Sequence, residues 1–368
     1  GGIAFQKKIN IVKTLKIIQV SGRDGFYKGE IADLIHEQMI INDGLIRKED
    51  LASYEVNLYQ PIRTSYRGNK VFAMGAPSGG GIVVLTALNV LECFQLSQLT
   101  PNSARTYHLI AEAMKFAHHN RAKYVGDPSF SKIPYDMLLS KKLACEKARE
   151  INLKKASSPK QTARTGSKIN DSYKESKDTT HYSIVDKDGN AVSVTYTLGY
   201  SFGSGVTIPG TGILTNNQMN NFAHSYGIDD SYFRSSSPAN KLEPLKRPMS
   251  TMTPVMVFDA EGSLKLITGS PGGSQIPGVI LQVLINNLEF NLDIGAASMV
   301  PRIHQDSQSL SLEYEKFLSD DTLRILESYG HKLELSDTMG STQSIEIIDG
   351  MRFGYADLRR PNAKVSVQ

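Results

Sequence analysis

The sequence predicts an α+β protein, and three observations carry that expectation. Apolar residues at helical spacing dominate residues 5–150, a polar stretch interrupts at 151–178, and short alternating strands take over from Thr179. Helices and strands gathered in separate runs point to α+β rather than to a regular βαβ alternation. With 368 residues, 40% of them hydrophobic, the chain can bury a large core.

The elements follow in order. Ile9, Ile11, Leu15, Ile17 and Ile18, then Ile31, Leu34, Ile35 and Met39, recur at helical spacing over 5–42, with a turn at 21–25. A charged start at Lys48 opens a short helix. Ile62–Tyr66 and Lys70–Met74 alternate about the Gly68-Asn69 turn and predict a hairpin. Pro77-Ser78-Gly79-Gly80-Gly81 leads into an apolar helix through Leu91, and 103–123 forms another helix. Residues 151–178 are dense in Lys, Ser and Thr and hold little that could build a core, so they read as a flexible linker. Past it, HYSIVDKDGNAVSVTYT reads as two strands about an Asp-Gly turn. Further strands fit 213–215, 254–258, 264–268, 332–336, 344–349 and 352–356, and helices fit 276–290 and 320–329.

Composition excludes several classes. The net charge is +4, with no concentrated basic block, so nucleic-acid binding is not expected. Cys93 reads as a small hydrophobe, and with Cys145 it forms neither a disulfide framework nor a metal site. No apolar run approaches the ~18 residues of a membrane helix. The chain opens on Gly1-Gly2-Ile3 without Met, which reads as an interior piece of a longer protein.

One residue stands where chemistry needs it. A threonine hydroxyl is a weak nucleophile and requires a base. A threonine at the start of a chain carries its own, because its α-amine has a pKa far below that of lysine. Exposing that amine means cutting the preceding bond. Thr179 follows the polar linker and opens a strand, so a cut between Asp178 and Thr179 would free it while the strand holds it still. Taken alone, a Thr-Thr pair at a strand start is ordinary strand chemistry.

The surrounding text gives it weight. TTHYSIVDKDGNAVSVTYTL, GILTNNQMNNF, RPMSTMTP and TGSPGGSQIP, in that order, resemble the γ-glutamyltransferase family of N-terminal nucleophile hydrolases. Gly25–Gly29, Ile62–Gly68, Pro77–Gly81, Gly126-Asp127-Pro128, Met339–Gln343 and Gly354–Asp357 match as well, so the resemblance spans essentially the whole chain. It implies a four-layer αββα sandwich in which residues 1–178 are the C-terminal part of a large subunit and 179–368 a small catalytic subunit. The two halves would form one structural unit and stay associated after cleavage.

The resemblance also implies roles. Thr179 is the nucleophile, and Thr197, eighteen positions on, holds its hydroxyl. Gly272 and Gly273 supply an oxyanion hole, a role that suits consecutive glycines before a helix. Ser250 and Thr251 bind a substrate α-carboxylate, alongside an arginine that the family takes from the N-terminal part of its large subunit. Gln218 and Asn221 hold the substrate α-amino group. Two positions depart from the family pattern: Asn221 stands where Asp is common, and Gly199 where many members carry Asn. Losing a charge-assisted hydrogen bond costs ~1.5–3 kcal/mol, so a substrate lacking the amino group should be rejected less strongly than usual. His224–Glu243 matches a lid found in some members. The expected activity is cleavage of a γ-glutamyl amide, of glutathione or a related compound, with transfer to water or to an amino-acid or peptide acceptor. No cofactor or metal is expected: His118-His119 and His108-x-x-x-Glu112 lack the HExxH pattern. A glutaryl-type amidase resembling cephalosporin acylases, a poly-γ-glutamate depolymerase and a non-enzymatic binding protein are the alternatives. The resemblance implies a periplasmic or secreted location, and a cytoplasmic one stays open.

Overall fold

Alternation in the first predicted hairpin sets up the main sheet. The computed structural model describes residues 2–157, 179–223, 237–307 and 309–367. Among them, β1 (Ile62–Tyr66) and β2 (Asn69–Ala73) pair across the tight Arg67-Gly68 turn, burying Ile62, Tyr66, Val71 and Ala73 on one face. They form one edge of a six-stranded antiparallel sheet with β7 (Val255–Phe258), β8 (Leu264–Thr268), β12 (Gln343–Ile348) and β13 (Met351–Ala356), in the order β1-β2-β7-β8-β12-β13.

Helices cover the apolar face of this sheet. Every residue of α5 (Gly80–Leu91) is buried, and α5 packs against α6 (Ala104–Tyr124), α8 (Lys141–Glu150) and α9 (Ile276–Leu288). Val71, Val257 and Leu266 join these helices in one core. Ser103 caps α6 and Ser140 caps α8, each hydroxyl accepting a first-turn backbone N–H. Shorter helices α7 (Tyr135–Leu138), α10 (Ile294–Met299) and α11 (Asp320–Ser328) complete this side, with a small sheet of β9 (Ile303–His304), β10 (Ser311–Tyr314) and β11 (Lys332–Leu335).

The strands after the linker, β3 (Thr179–Val185) and β4 (Ala191–Thr197), form a separate two-stranded ribbon against β8 and β12. Alternation along β12 decides which partner each residue meets. Glu346 reaches the helices, accepting from Asn287 at 2.6 Å and from the Ile294 N–H at 2.9 Å. Ile345 instead lines a cavity with Thr180 and Tyr182 of the ribbon. Helices, main sheet and ribbon thus layer in an α+β arrangement.

The described chain divides into two units. The second, 60–197 with 218–368, holds everything above. The first joins residues 1–59 to 198–217. It contains α1 (Gly2–Ser21), α2 (Asp24–Tyr27), α3 (Gly29–Ile41) and α4 (Lys48–Ser53), with the short pair β5 (Thr207–Ile208) and β6 (Ile213–Leu214). Ile31, Ala32, Ile35, Leu51 and Ile208 form its core. The division runs elsewhere than at 178/179: residues before the expected cut and the strands after it share the second unit.

Two sequence expectations need correction. Cys93 and Cys145 do form a disulfide. Packing of α5 against α8 brings their Cα atoms to 5.5 Å despite 52 positions of separation, a proximity that spacing cannot reveal. The first residues of the stretch read as a flexible linker are also held in place. Residues 151–157 are anchored, with Ile151 buried and the Ala156 N–H donating to the Tyr329 carbonyl at 2.6 Å. Helix α6 supplies the other anchors. His108 Nε2 meets the Asn152 carbonyl at 2.8 Å, Lys115 Nζ donates to the Ser157 carbonyl at 2.8 Å, and Glu112 accepts from the Ser157 N–H at 3.1 Å. Residues 158–178, including Asp178, lie outside the described residues.

Candidate active site

Cross-strand register builds the centre of the site. In the β3–β4 ribbon Thr179 stands directly opposite Thr197, and the Thr179 hydroxyl donates to that of Thr197 at 3.1 Å. Thr179 is 4% exposed, so its oxygen is held in one place. Residues two apart on a strand share a face, and His181 is buried beside Thr179. The His181 ring packs so close to Gly269 that any side chain there would collide with it.

The hydrogen bonds of His181 define its tautomer. Ser183 Oγ donates to the Gln343 carbonyl at 2.9 Å, so it must accept from His181 Nε2–H at 3.1 Å. Nδ1 is then left to accept from Thr195 Oγ1 at 2.8 Å. Burial pushes the imidazole down to about 3, so the ring is neutral and satisfied. The ring thus joins β3 to β4 and packs on Gly269, while Ser183 ties the strand to β12.

Arg360 acts from the other side. Its Nη1 donates to the Thr179 carbonyl at 2.9 Å. The segment carrying it is held by a buried charge network in which Arg302 Nη2 meets Asp357 Oδ2 at 2.6 Å and Arg359 pairs with both Asp357 and Glu315. Burial opposes the charged form of Asp357, but Arg302 and Arg359 hold its carboxyl below the usual range. Removing one partner of such a pair costs ~3–5 kcal/mol, so Asp357→Ala is expected to lower stability by about that much in urea unfolding. A loss under ~1 kcal/mol would show that the network carries little of the fold.

The glycine turn lies at the end of β8. Gly272 has φ +133° and Gly273 φ +55°, both in the region that favours glycine. A 3₁₀ turn, Gly273–Gln275, then leads directly into α9. The Thr251 hydroxyl donates to the Gly273 carbonyl at 2.9 Å, tying the proposed carboxylate pair to this turn. Ser250 is fixed by its backbone, with its N–H donating to Pro77 at 3.1 Å and its carbonyl accepting from Gly79 at 2.8 Å.

The third group is Gln218 and Asn221. Asn221 Nδ2 donates to Gln218 Oε1 at 2.7 Å and to the Met249 carbonyl at 3.1 Å. Its donors are therefore committed, and its Oδ1 is the atom left to accept a bond. Met249 directly precedes Ser250, so this group and the hydroxyl pair share one backbone. Gly199 belongs to the first unit, where it follows Leu198 with φ +91°. Of the expected lid, residues 224–236 lie outside the described residues, while Ser237 caps the short turn Pro238–Asn240.

The structure thus forms three groups: Thr179 with Thr197, Thr251 with Gly273, and Gln218 with Asn221 and Met249, the last two joined along the Met249–Thr251 backbone. Sequence reasoning missed His181 and Arg360. The alternation of β3 could have flagged His181, since it shares a face with Thr179. Arg360 lies 181 positions away and left no local signal.

Away from this site, His108, Glu112 and His331 bring ligand-type atoms within 4.8 Å of one another, a grouping able to hold a metal ion. In the fold these groups serve each other: His108 Nδ1 contacts His331 Nε2 at 2.8 Å, and Glu112 pairs with Lys115 while also receiving Ser157. That arrangement anchors the 152–157 segment described above.

Nearly the whole chain is similar to known proteins. The family model described as gamma-glutamyltranspeptidase matches residues 4–367. A glutathione hydrolase proenzyme of Escherichia coli is 43% identical over 95% of this chain and 60% of its own length. The Acylase ACY 1 proenzyme of a Pseudomonas strain is 32% identical over the whole of this chain and 63% of its own. Among solved structures, a cephalosporin acylase from Bacillus halodurans superposes with a TM-score of 0.81 at 30% identity, over 95% of this chain and 61% of that one. The chain therefore spans about 60% of the length of such relatives. On these grounds the chain belongs to the gamma-glutamyltranspeptidase family.

Proposed function

We propose that this chain is the nucleophile-bearing part of an autoprocessed γ-glutamyl acyltransferase and hydrolase. The hydrogen bond between the paired hydroxyls of Thr179 and Thr197 carries the proposal, because it aims a buried threonine oxygen at the very start of a strand. In self-cleavage, Thr179 Oγ attacks the Asp178 carbonyl, the peptide nitrogen leaves as the Thr179 amine, and water hydrolyses the resulting ester. The chain then separates into 1–178 and 179–368, which remain together as a small-molecule acyltransferase.

The catalytic cycle repeats this chemistry on substrate. The Thr179 α-amine takes the proton from Oγ as Oγ attacks the γ-amide carbonyl. The backbone N–H groups of the Gly272-Gly273 turn face the developing oxyanion at the entrance to α9. The leaving amine takes the proton back, and an acyl ester stays on Thr179. Water then yields hydrolysis, and an amino acid or peptide yields transfer. Ser250 and Thr251 receive the substrate α-carboxylate, and Gln218 and Asn221 its amino end.

A glutaryl-type amidase is the second reading, favoured by one observation. Asn221 offers an amide oxygen where an ammonium group would be paired best by a carboxylate. Comparing kcat/KM for γ-glutamyl and glutaryl anilides on the full-length protein tests the pocket. The γ-glutamyl substrate is expected to lead by no more than about a hundredfold, the worth of one charge-assisted hydrogen bond. A lead of several thousandfold would sink the relaxed pocket, and a lead for the glutaryl substrate would establish the second reading.

A further inference from the structure

Helix α6 carries a buried charge that has no counter-charge among the described residues. Arg121 is 5% exposed, and the contact made by its guanidinium is Nη1 to Met249 Sδ at 4.0 Å. Among the described residues no carboxylate pairs with it, and its Nε lacks a hydrogen-bond partner. Arg302 offers an internal comparison. It is as deeply buried, and Asp357 neutralises it at 2.6 Å. An isolated buried ion costs several kcal/mol, which is why buried charges are normally paired.

The neighbours of Arg121 deepen the imbalance. His118 lies one helical turn back on α6 and is 1% exposed, with neither ring nitrogen bonded. His304 of β9 is 3% exposed, its Nδ1 is unbonded, and its ring meets that of His118 edge-on with centroids 5.6 Å apart. Burial, with Arg121 and His304 close by, holds His118 well below its ordinary range, so it adds one N–H donor and no compensating charge. The arginine stem is hemmed in as well, since a side chain at Gly79 would strike Arg121 Cγ. A water molecule would satisfy the donors but leave the charge uncompensated.

We propose that Arg121, His118 and His304 form a binding site for a small monovalent anion of the halide class, enclosed between α6 and β9. The guanidinium supplies the charge, and Arg121 Nε–H with the imidazole N–H groups supplies the donors. The site lies behind the substrate-binding loop. Met249, which touches Arg121, also accepts from Asn221 and precedes Ser250, and the chain at Gly79 donates to the Ser250 carbonyl. Occupancy would stiffen that loop from beneath. None of this depends on the role given to Thr179.

The test uses the full-length protein, with bromide as the probe. Thermal unfolding is followed in sodium bromide against sodium gluconate at constant ionic strength, and bromide-soaked crystals are measured at the bromine absorption edge. A saturable rise in Tm at millimolar bromide, abolished in Arg121→Met, is expected, with an anomalous peak in contact with Arg121 Nε. Should Arg121→Met fail to fold, the diffraction measurement on the unaltered protein decides alone. A peak without a millimolar effect on Tm means an adventitious ion only and overturns the site. So does a water molecule in that position with no anomalous signal.

Discussion

Thr179→Ala is expected to leave one unbroken chain and to lower hydrolysis of a γ-glutamyl anilide by at least about 10⁴-fold, the scale on which catalytic nucleophiles fail when removed. Alanine retains the strand but removes the oxygen that would attack both the Asp178 carbonyl and the substrate. Two readouts therefore fall together, fragment formation on a denaturing gel and turnover. Thr197→Ala separates them from simple structural damage. It keeps the Thr179 hydroxyl but removes the partner 3.1 Å away, so cleavage should slow without disappearing. Two fragments from Thr179→Ala would end the assignment of this residue as nucleophile.

Acid is expected to unfold the protein well above the carboxylate range. Burial lowers His181 from its ordinary 6.5 to about 3 and His331 to about 4, so both are neutral when folded. In the unfolded chain each takes up a proton near pH 6.5. Between those values the unfolded state binds more protons, so stability is complete above pH 6.5 and is lost as pH falls. Each site contributes ~1.4 kcal/mol per pH unit, so the two together withdraw about 5 kcal/mol by pH 4.5, a large share of the ~5–15 kcal/mol typical of folded proteins. Urea midpoints across pH 4.5–7 check this, and His331→Gln should flatten the slope by about one proton. A midpoint unchanged over that range would show that the imidazoles protonate within the fold.

Much of the strand that carries Thr179 was legible because its logic is local. Alternation and the Asp-Gly turn predict the β3–β4 hairpin, and the register of that hairpin alone places Thr197 across from Thr179. The same holds for Gly272 and Gly273, whose positive φ angles are the conformations that glycine pairs serve. The charge network around Asp357 was not legible. Its members at 302, 315, 357 and 359 are ordinary surface residues by type, and only folding buries them against one another.

The sequence by itself determined the element pattern and the family and singled out Thr179 as a candidate, because these depend on residue type at short spacing. Tertiary structure decided what those residues touch. It paired Cys93 with Cys145 through the packing of α5 on α8, and it bound residues 152–157 to His108, Glu112 and Lys115. It also brought Arg360 to the Thr179 carbonyl and left Arg121 without a carboxylate partner among the described residues. The physical reason is common to all of them. Hydrogen bonds and ion pairs form over about 3 Å in space, whatever the distance along the chain, and only the packed layers bring such distant residues together.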